Sequence, residues 1–299
     1  MADKSWLEEF PAMERSDLLA IRKFLDNGYR EFSRNYGDLI EGFFDPLLSF
    51  LIWFENLLLD LPWWVVIIAI AALSYVASRS WKTTMSGLAA LLLIGYFGMW
   101  ENTMRTLSII TVCTLISIIV GIPVGIAMAR SNKVRAIVIP ILDIMQTMPA
   151  FVYLIPVVML LGIGRIPGVI AVVIYAIPPV IRFTNLGIRL VNKEVLEAAT
   201  AFGATKSQIL RSVQIPLAMP TIMAGINQTI MMALAMVVIA SMIGVKGLGQ
   251  PVLKSITNQY FTLGLFNGLA IVALAIIFDR VSQAYGKRKQ KHFESVEHE

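Results

Sequence analysis

The chain has 299 residues, of which 57% are hydrophobic and 15% charged, and its mean hydropathy is +0.72; an ordinary soluble domain carries roughly 25% charged residues. Too few polar residues are present to cover the core that so much apolar surface would need, which excludes a soluble enzyme and makes lipid part of the solvent. The formal net charge of +5 would suit nucleic acid, but in a membrane protein basic residues gather in cytoplasmic loops, so no nucleic-acid partner is expected.

In chain order, MADKSWLEEF lacks a basic stretch followed by an apolar one, so no cleavable signal peptide is expected. Residues 1 to about 42 are polar and amphipathic, and Phe43 to Leu61 is apolar but interrupted by Pro46, Glu55 and Asp60, a pattern that predicts an interfacial helix. Uninterrupted apolar stretches follow at Trp63–Ser78, Ser86–Trp100, Leu107–Ala129, Ile137–Ile163, Pro167–Ile181, Thr221–Gly244 and Leu263–Phe278. They predict an all-α, polytopic transmembrane helical bundle of about seven spans, the first two and the fifth short. Trp63, Trp64, Trp81 and Trp100 fall near span ends, where indoles favour the headgroup zone. The single cysteine, Cys113, lies in an apolar run, so no intrachain disulfide, Cys-based metal site or redox motif is expected. His292 and His298 are both in the C-terminal tail, and no metal site is expected in the membrane.

Orientation follows from the basic residues between spans. The loops at 79–84, 130–135 and 182–211, with the tail from Arg280, hold fifteen Lys and Arg, whereas the opposite loops hold four: Arg105, Arg165, Lys246 and Lys254. The richer side is expected to be cytoplasmic. Seven spans with the C-terminus inside put the N-terminus outside, and the six basic and twelve acidic residues of 1–62 are compatible with export. The tail's Lys287, Arg288, Lys289 and Lys291 read as a topology signal and a contact for anionic lipid.

The longest polar stretch after residue 62 runs from about Arg182 to Pro220. Lys193–Phe202 has helix-forming composition, Gly203 suits a left-handed C-terminal position, and Thr205 with Gln208 fits a capping box opening a second short helix. Pro216 is expected to end that helix and Pro220 to begin the next span. Small Ala198, Ala199 and Ala201 would let another backbone approach, giving a docking surface; an ordinary loop of two amphipathic turns is the alternative.

The order Glu197-Ala198-Ala199, three residues, Gly203, nine residues, then Val213-Gln214-Ile215-Pro216 resembles the EAA loop of membrane permeases of ATP-binding-cassette importers. Val213 and Ile215 stand where that pattern has Ile and Leu. The resemblance implies a type I importer permease fold, and it implies that Glu197, Ala198, Ala199, Gly203 and Pro216 belong to a segment that docks on a separate ATPase subunit. ATP and its Mg would then sit on that partner and no cofactor in this chain: Gly203-Ala204-Thr205-Lys206-Ser207 lacks the glycines of a phosphate-binding loop. Gly244, Gly247 and Gly249, with no strand before them, predict a tight turn at the outer end of the sixth span.

Leu142–Gly164, with Gly121–Arg130 and the loop above, is similar to the permeases of the glycine betaine/proline betaine importers, relatives of the choline and carnitine systems. That likeness implies a quaternary-ammonium compatible solute, two permease copies, two ATPases and an extracytoplasmic binding protein on a separate polypeptide. It divides the chain into an exported tail (1–62), two accessory spans (63–105), a core (106–280) with its coupling loop (183–220), and a cytoplasmic tail (281–299) in an inner (plasma) membrane. Choline, carnitine or trimethylamine N-oxide are alternative solutes, and an ATP-independent secondary transporter is the rival mechanism, disfavoured by the absence of a clear inverted repeat.

Asp143 and Gln146 fall within the predicted hydrocarbon, three residues apart and therefore on one helix face. Asp143 either attracts a cationic headgroup or gates a path, or it caps a helix broken near Pro140 and Pro149. Phe151, Tyr153 and Tyr175 offer aromatic faces to a trimethylammonium group, or simply pack. Pro178-Pro179 and Gly121-Ile122-Pro123-Val124-Gly125 predict kinks and close helix packing.

Overall fold

The computed structural model describes the backbone of residues 12–297 and the side chains of 12–284, so MADKSWLEEF and the basic cluster at Lys287, Arg288, Lys289 and Lys291 lie outside the described parts. Among the described residues the chain is helical, with no strand. α1 spans Arg15–Asp60, α2 Trp63–Ser78, α3 Trp81–Tyr96, α4 Trp100–Arg130, α5 Asn132–Thr147, α6 Ala150–Leu161, α7 Arg165–Ala176 and α8 Pro178–Arg189. α9 spans Lys193–Ala201 and α10 Lys206–Gln208; a π-helical turn, Ile209–Gln214, leads into α11, Ile215–Ala240. α12 (Gly249–Asn258) and α13 (Phe261–Glu297) complete the chain.

Among the described residues five helical stretches are long and apolar enough to cross a membrane: Arg15–Asp60, Trp100–Arg130, Arg165–Arg189, Lys206–Ile243 and Phe261–Ala284, with the pair α5 and α6 as a sixth. Five of the seven expected stretches, those from Leu107 on, map onto this set; Trp63–Ser78 is only a shorter apolar helix and the second stretch is not in the set, whereas Arg15–Asp60, expected to be interfacial, is long and apolar enough to cross. Four differences of extent accompany this. Ile137–Ile163 is two helices bent by 100°, because Pro149 follows Met148 in extended backbone (ψ 133°) and opens α6. The fifth stretch does not stop at Ile181: α8 carries it to Arg189, burying Val180, Ile181, Thr184, Gly187 and Ile188, and so takes the start of the expected 183–220 loop into the bundle. The second stretch is shifted, α3 ending at Tyr96 and α4 opening at Trp100. Phe43–Leu61 belongs to the single long helix α1. Trp63, Trp81 and Trp100 are each the first residue of a helix, as their place near span ends suggested.

The centre is α4, α7, α8 and α11, and glycines make their close approach possible. A Cβ on Gly121 would come within 2.4 Å of Val180 Cγ1, and one on Gly125 within 2.6 Å of Thr184 Cβ and 2.8 Å of the Ile181 carbonyl oxygen. A Cβ on Gly225 of α11 would come within 2.6 Å of Phe183 Cβ. The main core joins Ile110, Val112 and Cys113 of α4 to Val169 and Val172 of α7 and Ala233, Met236 and Val237 of α11. α1 is fastened to the same body. Ser33 Oγ donates to the Met159 and Leu160 carbonyls at the end of α6, at 3.3 and 3.4 Å, oxygens that have no partner further along their own helix. Buried Leu51 joins the main core.

Candidate functional site

The connection between α8 and α11 is ordered by local chemistry. Asn192 Oδ1 accepts from the Glu194 N–H at 2.9 Å and caps α9. At the other end Gly203 has φ +79°, its N–H donates to the Thr200 carbonyl at 2.9 Å, and the Ala204 N–H donates to Ala199 at 3.1 Å. These two bonds form a Schellman motif, which requires the left-handed residue that glycine supplies without a Cβ penalty. Thr205 and Gln208 then form the expected capping box, with the Thr205 N–H on Gln208 Oε1 at 2.8 Å.

Pro216 does not end this second helix, and Pro220 lies inside α11 rather than at its start. Proline removes one backbone donor and crowds the carbonyl a turn earlier; here the preceding turn is widened to i→i+5 bonding, with the Ile215 N–H on the Leu210 carbonyl, and the helix continues. The capped turn is thereby joined without a break to a membrane-spanning helix. α9 has no buried residue. Glu197, Ala198 and Gly203 are exposed, Ala199 is half-buried, and Phe202 beside them is 93% exposed. α9 thus rests on the π-helical turn through Leu196 and Ala199 and leaves an exposed aromatic at its end, the kind of apolar surface that partners cover.

The second group of sequence-predicted residues does not converge on one point. Asp143 does not cap the broken helix: it forms an ion pair with Arg182 of α8. Gln146 and Phe151 are exposed. Tyr153 is buried, its ring meeting Tyr175 edge-on at 6.3 Å and its hydroxyl donating to the Met145 carbonyl. The tyrosines therefore brace the α5–α6 bend against α7, and Phe151 is separate from them. The glycine-rich segment does form a tight turn: Gly244 has φ +87° and Gly247 φ +143°, and the Leu248 N–H donates to Thr106 Oγ1 at 2.8 Å.

Three polar groupings escaped the sequence reading. Arg182, in a loop by the sequence pattern, lies in α8 and meets Asp143. Glu55 of α1, its side chain 5% exposed, meets Arg165 of α7 at 3.1 Å and Arg105 of α4 at 3.8 Å. Asp279 of α13 accepts from Asn227 Nδ2 of α11 at 2.8 Å, and Ser282 Oγ donates to Asn227 Oδ1 at 2.7 Å. Each joins residues far apart in sequence, so the only available signal was an acid inside an apolar stretch.

Residues 121–291 match the family described as binding-protein-dependent transport system inner membrane component. The chain belongs to that family. The match takes in this membrane component from the Gly121–Gly125 packing stripe of α4 through most of α13 and includes the whole α9–α11 segment. The chain is 45% identical over 270 residues to the glycine betaine/proline betaine transport system permease protein ProW of Escherichia coli, covering 90% of this chain and 76% of the relative. It is 41% identical over 279 residues to the glycine betaine transport system permease protein OpuAB of Bacillus subtilis, covering 93% of this chain and 98% of the relative. It is 48% identical over 229 residues to the glycine betaine/carnitine transport permease protein GbuB of Listeria monocytogenes, covering 76% and 81%. The fold resembles the inward-facing MetNI methionine ABC transporter, with a TM-score of 0.57 and 20% identity over 64% of this chain and 95% of that one. This inner membrane component thus has the all-α type I permease fold, and its relatives are permease subunits.

Proposed function

We propose that the protein is the transmembrane permease subunit of an ATP-driven, binding-protein-dependent importer for a quaternary-ammonium compatible solute, glycine betaine or proline betaine. The observation that carries this reading is the α9–Gly203–α10 turn, in which the Glu197-Ala198-Ala199…Gly203…Pro216 spacing becomes a rigid, exposed helix pair continuous with α11. A separate ATP-binding subunit, holding ATP and Mg, docks on this turn, and its closure moves α11 and the helices packed on it so that access alternates. An extracytoplasmic binding protein delivers the solute to a pair of permease copies. The N-terminus lies outside and the C-terminus in the cytoplasm, with α1 at the outer interface. The names of the relatives support the betaine assignment; permeases of trimethylamine N-oxide and choline systems match at 35% and 33% identity.

The test is reconstitution of the chain with its ATPase and binding protein in proteoliposomes, with radiolabelled glycine betaine as the solute and Gly203→Asp as the uncoupled control. Uptake that requires ATP and disappears in the variant, while the complex still assembles, supports the reading. Uptake driven by an ion gradient without ATP overturns it, and ATP-dependent uptake of choline in place of betaine overturns the solute assignment alone.

A further inference from the structure

The Asp143–Arg182 pair has a depth, an exposure and a spare hydrogen-bonding capacity that the coupling turn does not explain. Arg189, at the end of α8, donates through Nη2 to the Met128 carbonyl and to Asn132 Oδ1, both at 2.8 Å. These bonds place the end of α8 level with the α4–α5 connection. From that level Asp143 lies about 16 Å along α5 and Arg182 about 10 Å back along α8, at 1.5 Å per residue. With Arg165–Arg189 and the α5–α6 pair taken as spans, these lengths place both inside a hydrocarbon layer about 30 Å thick.

At that depth the pair is still open: the Asp143 side chain is 55% exposed and that of Arg182 37%. α5 presents two distinct exposed faces. Ile137, Ile141 and Ile144 recur at i, i+4 and i+7 and form an apolar stripe suited to lipid. Asp143, Gln146 and Thr147 form a polar stripe on another side. Hydrocarbon cannot solvate an open ion pair, so the polar stripe faces water or protein. Among the described residues, Arg182 reaches Asp143 through Nη2, while its Nε is buried without a partner. A guanidinium carries five N–H donors in a planar fork, so most of its capacity is unspent.

A pair of fixed opposite charges, half-open and with donors in reserve, is complementary to a molecule that carries its own pair. We propose that Asp143 and Arg182 form a zwitterion-exchange site in the membrane interior: an onium carboxylate parts them, its carboxylate taken by the Arg182 fork and its onium group set against Asp143. Net charge is zero with the site closed on itself and zero with the zwitterion bound, so no unpaired charge is left at low dielectric in either state. A bare onium cation would occupy Asp143 and leave Arg182 unpaired, and the site excludes it on that ground. The inference rests on the permease reading above, since it requires that a solute cross between these helices.

The test uses the reconstituted permease, ATPase and binding protein, with radiolabelled glycine betaine at a concentration that saturates the binding protein. The variants are Asp143→Asn with Arg182→Gln together, and Arg182→Lys alone. The neutral double variant leaves no orphan charge to disturb folding, whereas Lys keeps the charge and loses the fork. Solute imported per ATP hydrolysed is expected to fall at least tenfold in the double variant and several-fold in Arg182→Lys, with the ATPase still co-purifying. Import by the double variant within twofold of the wild type overturns the site, as does a loss of import in both variants that merely tracks the amount of assembled complex. Absence of ATP-dependent import by the wild-type chain is a different failure, that of the permease reading itself.

Discussion

Gly203 offers a test in which backbone and side-chain effects separate. Its φ of +79° lies in the left-handed region, and a Cβ built there meets nothing within 4 Å. Substitution therefore costs conformation alone in the isolated chain, about 1–2 kcal/mol for an ordinary L residue, whereas Asn visits this region with little penalty. Because the Gly203 and Ala204 N–H groups close the two bonds that end α9, the strain falls on the angle between α9 and α10, the geometry that the proposed docking would depend on. A penalty of that size lowers the docked fraction about five- to thirty-fold. The measurement is the dissociation constant of the ATPase subunit from the permease in nanodiscs, for wild type, Gly203→Ala and Gly203→Asn. Ala is expected to weaken binding by that factor and Asn by less than about fivefold. Equal weakening by both would show that added bulk meets the partner and that the left-handed backbone is not the cause; unchanged binding by both would refute docking on this turn.

Three further outcomes follow from packing and charge. Gly125→Ala drives a methyl into Thr184 and the Ile181 carbonyl at under 3 Å and should lower the thermal midpoint in detergent, at a cost of about 1–3 kcal/mol, whereas Gly42→Ala, in open space, should leave it unchanged or raised; equal effects would refute the close α4–α8 contact. Glu55→Gln leaves Arg165 and Arg105 short of their shared carboxylate and should speed hydrogen exchange and proteolysis of α1, at about 1.5–3 kcal/mol for hydrogen bonds to a charged group; unaltered protection of α1 would show that the cluster does not hold it. Tyr153→Phe loses the bond to the Met145 carbonyl, worth about 0.5–1.5 kcal/mol. It should melt earlier with an unchanged half-saturation constant for import, and a shifted constant would mean that this ring faces the solute after all.

What the sequence revealed and what it hid divide along the range of the interactions concerned. The helix α9, its glycine end and the Thr205–Gln208 box are set by groups within five residues of one another, so residue order alone predicts them. The glycine stripe at 121–125 was legible because only a close neighbour justifies two glycines in a helix, although the neighbour itself, α8, was not. Asp143 could be recognised as costly in an apolar stretch, but its partner could not. Arg182 lies thirty-nine residues away, beyond a stretch taken to end at Ile181, and its place in the membrane depends on α8 burying its other face on α4 and α11. Glu55 was counted only as an interruption of an apolar segment for the same reason, its two arginines lying on α4 and α7.

Pro216 marks the point where a local rule failed because a neighbouring distortion absorbed it. Proline as a helix breaker presumes i→i+4 bonding, and the rule lapses when the preceding turn is bonded i→i+5, as the Ile215–Leu210 bond shows. Had the helix broken there, a push on the capped turn would have been spent in a flexible joint. With the π-helical turn in place, Lys206 to Ala240 is continuous helix, and a displacement of the turn must either move α11 or disrupt the contact of Gly225 with α8. The distortion that makes Pro216 tolerable thus also leaves the proposed docking turn continuous with the spanning helix.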